Sequence, residues 1–269
     1  MKPKVCVLGG YGINSEEETI FAFNETGSEA EFVHVNELIS REKSLEDYQI
    51  LVFPGGFSYG DHTGSGKAMA NKLMNNIGEE LKKFIARDTL VLGICNGFQI
   101  LVALGLLPAL DGEYGTRQAG LLQNSSARFV CRYVNLKKVS EKCVWTRGIT
   151  QLSLPAAHGE GNFYLEKEAL EKLAKNDQIV FQYIDVEGNL AKKQFPANPN
   201  GADMDIAGIC DPSGKIFGMM PHPERGLFFT NRPDFTLERE KMQRAGKELP
   251  KWTGNVKIFE NAANYFLNK

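Results

Sequence analysis

The chain has 269 residues, of which 42% are hydrophobic, 24% charged and 10% aromatic, and its net charge is −2. That length fits one large α/β domain or two small ones, with a composition ordinary for a globular protein. The near-neutral charge makes no electrostatic case for nucleic acid or an anionic membrane, and no apolar run reaches membrane-spanning length. Lys4-Val5-Cys6-Val7-Leu8 is an apolar run ended by Gly9-Gly10, too short for a secretory signal and suited to a buried strand. Gly12 and then Asn14-Ser15-Glu16-Glu17-Glu18 predict a glycine turn and a capped helix start with acids in its first turn.

Residues 31–35 predict a second strand, with His34 packed in it. Residues 49–53 predict a third, which stops at Pro54-Gly55-Gly56. A helical pattern over 69–86 leads to a fourth strand over 89–94. Short apolar strands alternating with helices predict a parallel sheet covered on both faces. Ligands in such folds bind beyond the carboxyl ends of the strands, the edge on which Gly10, Gly56 and Cys95 fall.

The middle of the chain changes character. Residues 128–136, 178–184 and 215–220 are strand-like with little helix among them, and they predict antiparallel additions beside the parallel core. Residues 194–203, rich in Pro, Asn and Gly, predict an exposed loop. Residues 237–266 hold a basic helical segment, a break over 250–254 and a final helix. No linker marks a second domain, so residues 1–269 are read as one. The five cysteines, Cys6, Cys95, Cys131, Cys143 and Cys210, form no Cys-x-x-Cys pair and read as reduced thiols of a cytosolic protein.

The strand over 89–94 runs into Gly93-Ile94-Cys95-Asn96-Gly97-Phe98-Gln99. Gly-x-Cys-x-Gly is the thiol counterpart of the Gly-x-Ser-x-Gly nucleophile elbow, a corner so tight that only glycines fit beside the nucleophile. A helix starting there points its first N–H groups at the sulfur and favours its nucleophilic form. A merely buried cysteine needs neither glycine.

A thiol nucleophile needs a base, and the base needs an orienting carboxylate. Of the four histidines, His62 sits in a glycine-rich loop. His158-Gly159-Glu160 and His222-Pro223-Glu224 each offer His-x-Glu at a strand end, and spacing alone does not separate them. His222 is favoured because an apolar run leads directly to it and prolines flank it. Pro54-Gly55-Gly56-Phe57 offers backbone N–H groups for an oxyanion: Gly56 or Phe57, together with Asn96. Gly64-Ser65-Gly66-Lys67 falls short of a phosphate loop, because Asp61 and Ala68 stand where glycine and Ser/Thr are needed. Gly9-Gly10-Tyr11-Gly12 lacks the dinucleotide spacing. The His-x-Glu pairs lack the Cys-x-x-Cys of zinc deaminases, and no cluster has metal-ligand spacing.

The elbow and Pro221-His222-Pro223-Glu224-Arg225 resemble class I, triad-type glutamine amidotransferases. Gly55-Gly56-Phe57-Ser58-Tyr59-Gly60-Asp61, Ala157-His158-Gly159-Glu160-Gly161, Asn198-Pro199-Asn200-Gly201 and Gly218-Met219-Met220 narrow the resemblance to the glutaminase subunits of phosphoribosylformylglycinamidine synthases. The resemblance implies a flavodoxin-like three-layer α/β sandwich, mainly parallel with antiparallel additions, built around a nucleophile elbow. It implies Cys95 as nucleophile, His222 as base and then acid, and Glu224 as the carboxylate orienting it. Gly56, Phe57 and Asn96 then serve the oxyanion, and Gln99 lies near the substrate glutamine.

The implied partners are a synthetase subunit, which uses ATP and magnesium, and a small adaptor subunit; no cofactor is implied in this chain. The implied location is the cytoplasm. His158 to Gly161 are expected to shape the site or a subunit contact. Two stretches depart from the family pattern, His62-Thr63-Gly64-Ser65-Gly66 and the opening Gly9-Gly10-Tyr11-Gly12-Ile13-Asn14. The tail after Arg225 is long for the bacterial form, and residues 237–251 are expected to face a partner.

Overall fold

A computed structural model describes residues 2–60 and 64–267; Asp61 and His62 lie outside them. The first half alternates strand and helix. It comprises β1 (Lys4–Gly9), α1 (Glu16–Glu25), β2 (Glu29–His34), α2 (Val35–Ile39), β3 (Ile50–Phe53), α3 (Lys67–Ala86), β4 (Leu90–Ile94) and α4 (Asn96–Ala103). The second half adds β5 (Gly120–Leu122), β6 (Val130–Lys138), β7 (Gln151–His158), β8 (Asn162–Tyr164), α5 (Lys167–Lys175) and β9 (Ile179–Ile184). It ends with β10 (Ile206–Cys210), β11 (Ile216–Met219), α6 (Phe235–Arg244) and α7 (Lys257–Leu267).

Nine strands form one sheet in the order β2-β1-β3-β4-β11-β10-β9-β6-β7, and β5 pairs with β8 apart from it. The pairings from β2 to β11 are parallel and those from β11 to β7 antiparallel. Strands β1, β3 and β4 are buried almost throughout, as strands with helices on both faces must be. Strand β7 alternates buried and accessible positions, the signature of a half-covered sheet. One helical layer contains α2, α3 and α4; the other contains α1 and α7. Helix α3 buries Met69, Leu73, Ile77, Leu81 and Phe84, a stripe at three- and four-residue spacing. Each such burial contributes roughly 1.5–3 kcal/mol. On the other side Phe23 of α1 packs edge-on to Phe259 of α7 with ring centroids 5.0 Å apart.

Sequence and structure part in several places. Residues 216–219 do not belong to the antiparallel additions on both sides: β11 is antiparallel to β10 but parallel to β4, and it joins the two halves of the sheet. Strands β7 and β10 and helix α5 enrich a region expected to hold fewer elements. Residues 194–203 are not simply exposed. Asn198, Asn200 and Ala202 are buried, because Asn198 Oδ1 accepts from the N–H groups of Asn200 and Gly201 and its Nδ2 donates to Asp205. His34 closes β2 and caps α2, its Nδ1 accepting from the Asn36 N–H. Helix α6 buries none of its side chains.

Register places the site. Phe53 of β3 and Gly218 of β11 flank Gly93 of β4, so these strands end together and Gly55, Cys95 and His222 emerge on one edge. The free edge of β7 curls round to the same place, where the Pro155 carbonyl accepts from the His222 N–H at 2.8 Å. Close packing at this edge predicts an unusual sign for one substitution. Gly97→Ala would gain about 1 kcal/mol of helix propensity, yet its Cβ would lie 1.8 Å from the Phe53 carbonyl oxygen. The clash wins, and Gly97→Ala is expected to lose about 3 kcal/mol or more in urea unfolding. Gly246→Ala, with open space around it, should lose only about 1–2 kcal/mol from its left-handed backbone. Equal losses would contradict the packing argument.

Candidate active site

The corner after β4 is sharper than an ordinary strand-to-helix turn. Cys95 has φ 52° and ψ −105°, which a residue with a β-carbon adopts only when its surroundings impose it. Its N–H donates to the Met219 carbonyl of β11 at 2.8 Å, and its carbonyl accepts from the Gln99 N–H in α4 at 3.1 Å. Beneath it, a Cβ on Gly93 would stand 2.7 Å from the Gly97 carbonyl oxygen. Cys95 is only 5% exposed, and its thiol donates to the Ala157 carbonyl of β7 at 3.7 Å.

His222 follows the end of β11. Pro223 starts a short 3-10 turn over Pro223–Gly226, which returns the Glu224 carboxylate to the imidazole two residues before it. His222 Nδ1 lies 2.6 Å from Glu224 Oε1, and both side chains are buried. Gly55 forms the floor: a Cβ there would lie 2.6 Å from His222 Cε1. Burial by itself pushes the imidazole toward its neutral form; the Glu224 carboxylate and the Cys95 sulfur outweigh it and raise His222 to about 10. With Nδ1 held by Glu224, the buried Nε2 is the ring nitrogen left for the Cys95 sulfur.

The loop after β3 is pinned by the turn after β1. The Phe57 N–H donates to the Gly12 carbonyl at 2.6 Å, and the Asn14 N–H donates to the Gly55 carbonyl at 3.1 Å. Phe57 therefore spends its N–H inside the loop and does not offer it to an oxyanion. Gly56, at φ 153°, has no room for a side chain, since a Cβ would lie 2.5 Å from the Gly12 carbonyl oxygen. No described residue takes the Gly56 or Asn96 N–H. Asn96 adjoins Cys95 in the chain, and Gly56 follows Gly55, which packs on His222, so both donors lie at this edge.

Over residues 2–266 the chain matches the family model of the CobB/CobQ-like glutamine amidotransferase domain. The phosphoribosylformylglycinamidine synthase subunit PurQ of Methanococcus maripaludis (strain C7) is 49% identical over 265 residues, 98% of this chain and 97% of that protein. The chain belongs to the PurQ family of glutamine amidotransferases. The subunit of that name from Dehalococcoides mccartyi is 42% identical over 267 residues, 98% of each chain. A solved structure of PurLQS from Thermotoga maritima matches with a TM-score of 0.72 and 29% identity, covering 98% of this chain and 99% of that one. Since the alignment spans nearly the whole M. maripaludis protein, the long tail after Arg225 is shared with it.

Against this family background the remaining candidate residues fall into place. Gln99 Oε1 accepts from Asn96 Nδ2 at 2.8 Å, and Gln99 Nε2 donates to the Glu160 carbonyl at 2.6 Å. Gln99 also lines a cleft of about 190 Å³ with Ser65, Lys67, Arg117 and Glu160. His158 is buried next to the elbow and belongs to a different network from His222: its Nδ1 meets Asn124 Oδ1 at 3.1 Å. Sequence reading missed Asn124, and it missed Ser15, whose Oγ accepts from Arg225 Nη2 at 2.7 Å. Both contacts join residues distant in the chain, so no local spacing announces them. Groups of three or more His, Cys, Asp or Glu arranged to hold a metal do not occur among the described residues.

The raised His222 has a defined linkage sign. The folded chain holds this proton more tightly than the unfolded one, so the pair adds stability that is complete below pH 6.5 and is lost as the pH climbs toward about 10. An NMR titration of the ring should show the proton retained well above pH 6.5 in the wild type. In Glu224→Gln, where burial loses its main opponent, it should leave at a distinctly lower pH. An unchanged midpoint would contradict the assignment of the shift to Glu224.

Proposed function

We propose that this chain is the glutaminase subunit of a phosphoribosylformylglycinamidine synthase, with Cys95 as its nucleophile. The observation that carries the reading is the meeting of a strained Cys95 and the buried His222–Glu224 pair on one sheet edge, in a chain of the PurQ family. The proton drawn from Cys95 sits on His222, which Glu224 favours as imidazolium, and the sulfur attacks the side-chain amide carbon of glutamine. The oxygen becomes an oxyanion held by the Gly56 and Asn96 N–H groups. His222 then returns the proton to the amide nitrogen, the C–N bond breaks, and ammonia leaves a γ-glutamyl thioester. Water, deprotonated by His222, hydrolyses the thioester to glutamate. Glu224 keeps the imidazole oriented throughout.

The ammonia serves the ATP-dependent conversion of formylglycinamide ribonucleotide to formylglycinamidine ribonucleotide in purine biosynthesis. The T. maritima complex is PurLQS, and PurL, as synthetase, and PurS are the partners assigned to this chain. ATP and magnesium are assigned to the synthetase, and helix α6 to the surface that meets a partner. The reaction is placed in the cytoplasm. No described helix is long and apolar enough to cross a membrane, and all five cysteines are free thiols.

The test is glutamate release by the chain assembled with PurL and PurS, supplied with formylglycinamide ribonucleotide and ATP. Cys95→Ala should abolish it, and His222→Ala should lower it by about 100-fold or more, the range for loss of a general acid–base. With ammonium salt replacing glutamine, both variants should still support product formation. Glutamate release that survives Cys95→Ala would overturn the reading.

A further inference from the structure

His158 holds a buried nitrogen that the triad does not use. The segment carrying it wraps the elbow from both sides: Ala157 accepts from the Cys95 thiol, and Glu160 accepts from Gln99 Nε2. Between these contacts the His158 ring is 2% exposed. It lies near enough to His222 for the two imidazoles to repel one another electrostatically. Its Nε2 has no hydrogen-bond partner among the described residues. Native structures leave few such atoms unpaired, and this one lies in the wall of the triad.

The tautomer follows from Asn124. Its Nδ2 donates to two carbonyls, Arg128 at 2.9 Å and His158 at 2.8 Å, which fixes which way the amide faces. Its Oδ1 therefore accepts from the Gly161 N–H at 3.1 Å and faces His158 Nδ1 at 3.1 Å. An amide oxygen carries no hydrogen, so the proton of that contact sits on Nδ1 and Nε2 bears a bare lone pair. Burial and the neighbouring His222 hold the ring neutral, its pKa lowered to about 4. Gly161 closes the cage: a Cβ there would lie 2.6 Å from the His158 ring. The result is a rigid, acceptor-only atom beside the reaction centre. Such an atom selects an N–H donor and disfavours a carboxylate oxygen.

We infer that His158 Nε2 accepts an N–H of the glutamine side-chain amide and holds that nitrogen for protonation by His222. The inference rests on the glutaminase reading above. In the step it serves, His222 supplies one proton to the nitrogen, the C–N bond breaks, the oxyanion collapses to the thioester carbonyl, and ammonia departs with its two original hydrogens. His158 takes up no proton; it orients the nitrogen lone pair toward His222. The same lone pair repels the carboxylate of the product, glutamate.

The experiment compares glutamine with L-glutamic acid γ-methyl ester, whose leaving group carries no N–H, using the chain assembled with its synthetase partners. Wild type should hydrolyse both, and Cys95→Ala neither. His158→Phe should lower kcat/KM for glutamine at least about tenfold more than for the ester, the size of one lost hydrogen bond. His158→Leu repeats the measurement in a second apolar shape, so that a folding failure of one variant leaves the other. His158→Gln, which returns an acceptor oxygen, should recover much of the amide-to-ester ratio. Equal losses on both substrates would mean that His158 only supports the fold, and no loss on glutamine would mean that it makes no contact; either overturns the inference. A wild type that hydrolyses neither substrate would instead overturn the glutaminase reading itself.

Discussion

Cys95 adopts a backbone conformation that costs on the order of 1–3 kcal/mol, and the rest of the site is arranged around keeping it there. The cost is offset by the close ends of three strands. Gly93 lies between Phe53 and Gly218 in register, and Gly97 brings α4 against the Phe53 carbonyl. A β-carbon at either elbow glycine would force α4 away from β3 and β4. The main chain would relax, and the sulfur would leave its place beside the His222–Glu224 pair. Backbone strain at one residue thus converts packing free energy, spread over the core, into the placement of a single atom.

The antiparallel half of the sheet supplies what the parallel half lacks. Its outermost strand, β7, curls round to give the Pro155 carbonyl to the His222 N–H and the Ala157 carbonyl to the Cys95 thiol. Burying an imidazolium and a carboxylate costs several kcal/mol per ion, recovered only when the partners are close and well aligned. The 2.6 Å contact between His222 and Glu224 meets that condition. The second imidazole, His158, is kept neutral by the same burial, because its partner is an amide rather than a carboxylate. Two histidines beside one elbow thus carry opposite protonation preferences: burial and the neighbouring His222 keep His158 neutral, while Glu224 and the Cys95 sulfur outweigh burial at His222.

Local patterns were legible in the sequence; directions and long-range contacts were not. Gly93-x-Cys95-x-Gly97 announces the elbow because the crowding of Gly93 against Gly97 operates within five residues, and His222-Pro223-Glu224 is equally local. The alternation of β1, β3 and β4 with helices shows as apolar runs between glycine turns. The direction of β11 is not local. It depends on β10, which the chain joins to β11 through a turn built on Asp211, whose carboxylate accepts from the N–H groups of Ser213, Lys215 and Ile216. Polar, turn-rich residues such as Asn198 and Asn200 read the same whether they face water or one another. Spacing also left Gly56 and Phe57 equivalent as oxyanion donors, and only the bond from the Phe57 N–H to Gly12 separates them.

The central claim is covalent: the glutamyl group passes through Cys95. The chain, assembled with PurL and PurS and turning over glutamine, should be acid-quenched within the first turnovers, and the Cys95 peptide analysed by mass spectrometry. The account predicts a γ-glutamyl adduct on Cys95, labile to hydroxylamine and more abundant in a variant with impaired water attack. Glutamate released in full while Cys95 stays unmodified at every quench time, or an adduct found on another residue, would contradict it.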